Sequence, residues 1–187
     1  MKLYGSYTSP FVRHCRIVLL ETGIDCEFIE TDLAASAVKS PTKRVPFLED
    51  GDIFLTDSSA IIKHLREKAG SQFCATTHEL NKFCLVNSVL DTVVNLFFIK
   101  RDGVDISSIP YLQRQAARIQ STLEELNNTA FALQAPYDDA DLRLGSFMSW
   151  AILRNQIDFS RYPQLEKFYQ AILTYDAFAK TSATLNL

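Results

Sequence analysis

The sequence has no Cys-x-x-Cys, no histidine pair at helical spacing, no long run of one charge and few chain-breaking residues. Six glycines and six prolines in 187 residues exclude collagen-like, linker-like and low-complexity chains. The four cysteines stand at 15, 26, 74 and 84 and the three histidines at 14, 64 and 78, spacings that argue against a metal site. Basic residues are not in excess: 19 Lys and Arg meet 22 Asp and Glu, for a formal charge of −3. A dedicated nucleic-acid binder needs a basic surface to displace phosphate counterions, so that class is disfavoured. The N-terminus, MKLYGSYTSPFVRHC, has no apolar stretch of signal-peptide length. The most apolar run, 83–99, is interrupted by Asn87, Ser88, Asp91 and Asn95. A carboxylate near the middle of so short a run favours a buried helix over a membrane span. Free thiols without an export signal lead to the expectation of a cytosolic protein.

What the chain does have is apolar residues, 47% of the total. That is too many for a disordered chain, and the length allows one large domain or two small ones. Residues 2–5 form a short apolar start. From Phe11 the pattern turns helical, with Phe11, Cys15, Val18 and Leu19 on one stripe. Thr8 or Ser9 is a natural N-cap, Pro10 a natural first helical residue and Gly23 a C-terminal stop. Cys26–Thr31 reads as a second strand, joined to the first by a right-handed crossover. After a polar linker, Val45–Glu49 and Asp52–Leu55 flank Asp50-Gly51, a strong hairpin signal. Thr56-Asp57-Ser58-Ser59 then offers caps for a helix marked by Ile61, Ile62 and Leu65. The first 75 residues thus read β-α-β-β-β-α. Beyond Thr76 the strand signals vanish, and helices are expected near 78–101, 109–128, 139–157 and 163–174, the third opened by a capping box of Asp138 and Asp141. The expected division is an α/β domain over 1–75 and an all-helical domain over 76–187, with formal charges near −1 and −2.

Three separated motifs, Tyr4–Arg13 (YGSYTSPFVR), Arg44–Leu48 (RVPFL) and Thr56–Ile62 (TDSSAII), resemble those of the cytosolic glutathione S-transferases. The resemblance extends over the whole chain: a thioredoxin-like N-terminal domain followed by an all-α helical bundle. It also covers the Asp138–Arg154 segment and the helix YPQLEKFYQAI. It implies an enzyme that binds glutathione as co-substrate, needs no metal, and conjugates its thiolate to a small apolar electrophile in a detoxification role. The partners implied are glutathione, a hydrophobic electrophile and a second copy of the chain in a homodimer.

The resemblance also implies roles for residues. In serine-type members the hydroxyl at Ser9 donates to the glutathione sulfur, so Ser9 is the expected catalytic residue. It would stabilise a thiolate belonging to the co-substrate, because donors and a helix N-terminus lower a thiol pKa. Phe11 lies in the same motif and is carried over as glutathione-binding. Val45-Pro46 is expected to be cis, with the Val45 backbone pairing with the cysteinyl part like an added strand. Asp57 and Ser58 are expected to take the γ-glutamyl ammonium and carboxylate, the latter at a helix N-terminus. Lys43 or Arg44, with Lys39 nearby, is expected to meet the glycyl carboxylate. The family often has Asn-Pro-x-Gly-Lys here, whereas this chain has Ser40-Pro41-Thr42-Lys43-Arg44.

Each of these residues has an ordinary alternative. Ser9 and Asp57-Ser58 would serve as plain helix caps, Pro46 as an edge-strand proline and the basic residues as a solvated loop. Cys15 fits a buried structural position, and Arg13 and His14 a solvated or domain-facing part of the first helix. Leu96–Ile99 and Trp150 read as core. Two rival functions remain: a non-catalytic transferase-fold scaffold resembling the starvation-response regulators, and a glutathione-dependent thiol transferase, which would prefer cysteine at position 9.

Overall fold

Strand β1 (Lys2–Gly5) opens the chain and lies at the centre of a four-stranded sheet in the order β2-β1-β3-β4, with β2 at Glu27–Glu30, β3 at Phe47–Asp50 and β4 at Ile53–Leu55. The computed structural model describes residues 1–186. β2 runs parallel to β1, β3 antiparallel to β1, and β4 antiparallel to β3. Helix α1 (Pro10–Thr22) makes the crossover. Its ends follow the local chemistry: Ser9 Oγ accepts the Val12 N–H at 3.4 Å, and Gly23, at φ 64°, donates to Leu19 O at 3.0 Å. Helix α3 (Ser58–Lys68) covers the same face. Leu3, Cys15, Val18, Leu48, Ile61, Ile62 and Leu65 form the core between helices and sheet, all fully buried.

The expected β-α-β-β-β-α order lacks one element. Residues Leu33–Lys39, read as a polar linker, form helix α2. The signal was present in Asp32, whose carboxylate accepts the Ala35 N–H at 2.7 Å. The helix has only seven residues and a single buried one, Ser36, so it carries no apolar stripe to be seen.

Contacts divide the chain into two units, Met1–Ala75 together with the segment from Leu173 onward, and Thr76–Ile172. The last residues, expected in the helical domain, therefore join the first unit. Their attachment is polar as well as apolar. Tyr175 Oη donates to Glu21 Oε1 at 2.7 Å, and Arg66 Nη2 pairs with Glu21 Oε2 at 2.7 Å. Helix α8 (Asp176–Ala179) follows, and Phe178 is fully buried. Of the two alternatives for Arg13 and His14, solvated or domain-facing, burial excludes the solvated one: they are 4% and 0% exposed. A lone basic side chain on an apolar stripe looks surface-bound in sequence, because its buried partners lie more than 160 residues away.

The second unit holds α4 (Thr77–Arg101), α5 (Pro110–Asn128), α6 (Asp139–Leu153) and α7 (Pro163–Ile172). α4 is long and apolar enough to span a membrane by composition alone. Here its Val86, Val89, Leu90, Val93 and Leu96 are buried as a core helix. Trp150 on α6 meets Phe97 edge to face at 5.5 Å. Two capping boxes start α4 and α6. Asp138 Oδ1 accepts the Asp141 N–H at 2.8 Å, and Asp141 Oδ2 returns the bond to the Asp138 N–H at 3.1 Å. Lys82, 9% exposed, reaches from α4 to both carboxylates, at 2.7 and 3.1 Å. Satisfying three buried or half-buried charges together is what makes this arrangement tolerable.

Two measurements check this description. A Cβ added at Gly5 would stand 2.5 Å from Val12 Cγ1, so Gly5→Ala is expected to cost about 2–3 kcal/mol by overpacking, read by urea unfolding. Burial first, and then the bond to Glu21, pushes the Tyr175 phenol above its ordinary 10.0. A raised folded pKa contributes stability that is present below pH 10 and lost as pH rises beyond it. Tyr175→Phe should therefore lose about 1 kcal/mol at pH 7 and show a shallower decline above pH 10.

Candidate functional site

The strand register brings three distant segments to one edge of the sheet. Tyr4 pairs with Phe47 and Leu48 with Leu55. The end of β1, the start of β3 and the end of β4 therefore share an edge. The chain leaves β1 there through Ser6–Ser9, enters β3 through Val45-Pro46, and leaves β4 through Thr56-Asp57. Both α1 and α3 begin at this edge, so their positive dipole ends are gathered together. Ligands of open α/β sheets collect at such strand ends for this reason.

Ser9 is half-buried at the α1 N-cap. Its hydroxyl takes the Val12 N–H in a long bond, which leaves the hydroxyl proton available to donate elsewhere. No acidic residue stands in the first turn of α1. Phe11, the second residue of the helix, is half-buried. Tyr7 does not join the edge as an open ring. It lies 4.8 Å from Phe28 and beneath the Arg16 guanidinium at 4.7 Å.

The Val45-Pro46 bond is cis, with Pro46 buried and Val45 half-buried. Before it, Lys43 N donates to Ser40 O at 2.9 Å, closing a tight turn, and Ser36 Oγ donates to the Lys43 carbonyl at 3.5 Å. Lys43 stands at φ 53°, in the left-handed region. Lys43 and Arg44 are exposed. Lys39 Nζ lies 5.0 Å from the Tyr4 ring.

Asp57 caps α3. Its Oδ1 accepts the Ser59 and Ala60 N–H groups at 2.8 and 3.4 Å, so both bonds fall on one oxygen. Ser58 is 5% exposed, and its carbonyl accepts a weak bond from Cys15 Sγ at 3.9 Å. That contact ties the start of α3 to the middle of α1 and gives the buried Cys15 a structural role. Cys26 is a second thiol in this unit, and burial pushes its pKa up, away from a reactive thiolate. Among the described residues no group of three His, Cys, Asp or Glu could hold a metal.

A groove of about 190 Å³ lies in the second unit, lined by Glu124, Asn127, Asn128, Arg161 and Tyr162. Asn127 Oδ1 there accepts the Gln164 and Leu165 N–H groups. The amide thus serves as a cap for α7.

Residues 3–73 match the model of the glutathione S-transferase N-terminal domain. A zeta-class glutathione S-transferase of Euphorbia esula is 27% identical over 190 residues, covering 91% of this chain and 84% of that protein. The chain thus carries a glutathione S-transferase N-terminal domain over residues 3–73 and is similar to members of that family along most of its length. Its fold likeness extends through both units. A glutathione-bound glutathione S-transferase of Methylobacillus flagellatus superposes at TM-score 0.81 with 23% identity, covering 97% of this chain and 98% of that one. Maleyl pyruvate isomerase, a bacterial zeta-class member, superposes at 0.76 with 21% identity, over 98% and 97%.

Against the family pattern, Lys43 is the position where glycine is usual, and its positive φ shows why. The backbone here makes a turn that favours glycine, and a lysine occupies it. Lys43→Gly should relieve left-handed strain while adding chain entropy to the unfolded state. The expected net gain is about 0.5–1 kcal/mol, measured as an upward shift of the unfolding midpoint.

Proposed function

We propose that this chain is a serine-type, glutathione-dependent transferase that activates the glutathione thiol and conjugates it to a small apolar electrophile. The observation that carries this reading is the convergence of Ser9, Val45-Pro46 and Asp57-Ser58 at one sheet edge with two helix N-termini. A tripeptide with a thiol in its middle and carboxylates near both ends matches that arrangement in chemistry.

In this reading the Val45 backbone pairs with the cysteinyl main chain as an added strand. Ser58, through its hydroxyl and N–H at the α3 N-terminus, takes the γ-glutamyl carboxylate. Asp57 Oδ2, the oxygen not used in capping, faces the adjacent ammonium. Lys43 and Arg44, both exposed beside the Val45-Pro46 step, supply positive charge for the glycyl carboxylate, which the Arg44 fork can take bidentately. Phe11 supports the same edge from the first turn of α1. Ser9 donates its hydroxyl proton to the sulfur, and the positive end of the α1 dipole adds positive potential. Both favour thiolate over thiol. The thiolate then attacks the electrophilic carbon, forming the carbon–sulfur bond as the leaving group departs with its electron pair. Rate comes from the lowered thiol pKa and from proximity. The working unit is a homodimer in the cytosol.

The zeta-class neighbours support a second reading of the same site, a glutathione-dependent isomerase in which the thiolate adds, permits bond rotation and leaves again. Glutathione is then unchanged at the end, so product analysis separates the two readings. The experiment for the shared core is glutathione titration of the wild-type protein and two variants. Ser58→Ala should weaken binding about tenfold to a hundredfold by losing a bond to a charged group. Ser9→Ala should leave affinity within about threefold and raise the pH midpoint of the bound thiol by about one unit. Wild-type protein that shows no glutathione binding at millimolar concentration would leave the scaffold function in its place.

A further inference from the structure

Arg13 is tied to the Ser9 cap by its main chain and to the C-terminal segment by its side chain. Its N–H donates to Ser9 O at 3.0 Å. Its Nη2 donates to the Phe178 carbonyl at 2.8 Å and its Nε to Thr181 Oγ1 at 3.3 Å. The guanidinium also lies over the Phe178 ring, 3.8 Å from the centroid. Both partners are fully buried. The Thr181 hydroxyl spends its own proton on the carbonyls of Ala177 and Phe178, at 3.1 and 3.0 Å, so its oxygen is oriented to accept from Arg13.

Arg16, one turn further along α1, repeats the link. Its Nη1 donates to the Thr181 carbonyl at 3.4 Å, and its guanidinium covers Tyr7. Tyr7 is two residues before Ser9, and Arg13 is four after it. The loop that carries Ser9 is thus held on both sides by arginines that reach residues 178–181. A planar guanidinium bonded to a carbonyl and a hydroxyl while stacked on a ring sets orientation as well as distance, which an ammonium cannot do.

We propose that the turn Phe178–Thr181 is a clasp for the first turn of α1, and that Arg13 is the positioning residue through which it holds the Ser9 hydroxyl and the α1 N-terminus in register for a thiolate. The thiolate half rests on the transferase reading above. The clasp half concerns the free protein and stands without it. Preorganised donors act only when held within about half an ångström of their working position, so a support behind them is part of the site.

Arg13→Lys keeps the charge and loses the planar fork, and Thr181→Val removes one acceptor while keeping the shape. Two measurements decide. In ligand-free protein, amide hydrogen exchange at residues 11–13 is expected to rise about tenfold in both variants, while exposed Lys180→Ala leaves it unchanged. With glutathione bound, ultraviolet titration of the thiolate is expected to show a midpoint higher by about half a pH unit or more, with affinity within about threefold. Turnover of a model aryl halide should fall at pH 6.5 and recover at pH 8.5.

Unchanged exchange in folded Thr181→Val overturns the clasp. Raised exchange with an unmoved thiol midpoint, or activity lost equally at every pH, overturns the positioning role. If Arg13→Lys does not fold, Thr181→Val carries the decision alone. If wild-type protein binds no glutathione, the transferase reading fails, and the exchange measurement still decides the clasp.

Discussion

Everything at the candidate site depends on how closely the first turn of α1 approaches the end of β1. Gly5 has no side chain, and Val12 fills the space where one would be. That contact lets the loop Ser6–Ser9 turn tightly enough to point the N-terminus of α1 across the sheet edge. The antiparallel register then does the rest. Because β3 begins opposite Tyr4 and β4 ends opposite Leu48, Val45-Pro46 and Asp57-Ser58 have nowhere to go but the same edge.

The site is supported from several directions by unlike forces. Cys15, buried in the core, links the middle of α1 to the first residue of α3. Ser36 on α2 reaches the turn that presents Arg44. Arg13 and Arg16 join α1 to the turn Phe178–Thr181. The helical unit relies on the same economy of charge at its own helix ends, where Lys82 serves two capping carboxylates at once.

Much of this was legible beforehand. Pro10 after a Ser cap, Gly23 as a stop, Asp-Gly between apolar runs and the Asp138–Asp141 box are signals within four residues of one another, and local chemistry decides them. The turn itself is shifted by one residue, with Asp50 paired to Ile53 and Gly51-Asp52 at its tip. Helix α2 escaped notice because a seven-residue helix with one buried residue shows no periodicity. Arg13 and the tail beyond Leu173 escaped because a buried arginine looks like a surface one until its partner is known.

Local sequence decided the type and approximate place of most helices and strands, since capping, turn formation and apolar periodicity act over a few residues. Tertiary structure alone decided that three motifs meet at one edge, that Lys43 occupies a glycine-like turn, and that the C-terminal segment backs the first helix. Those outcomes rest on strand register and on contacts between residues far apart in the chain, and neither is written in any local pattern.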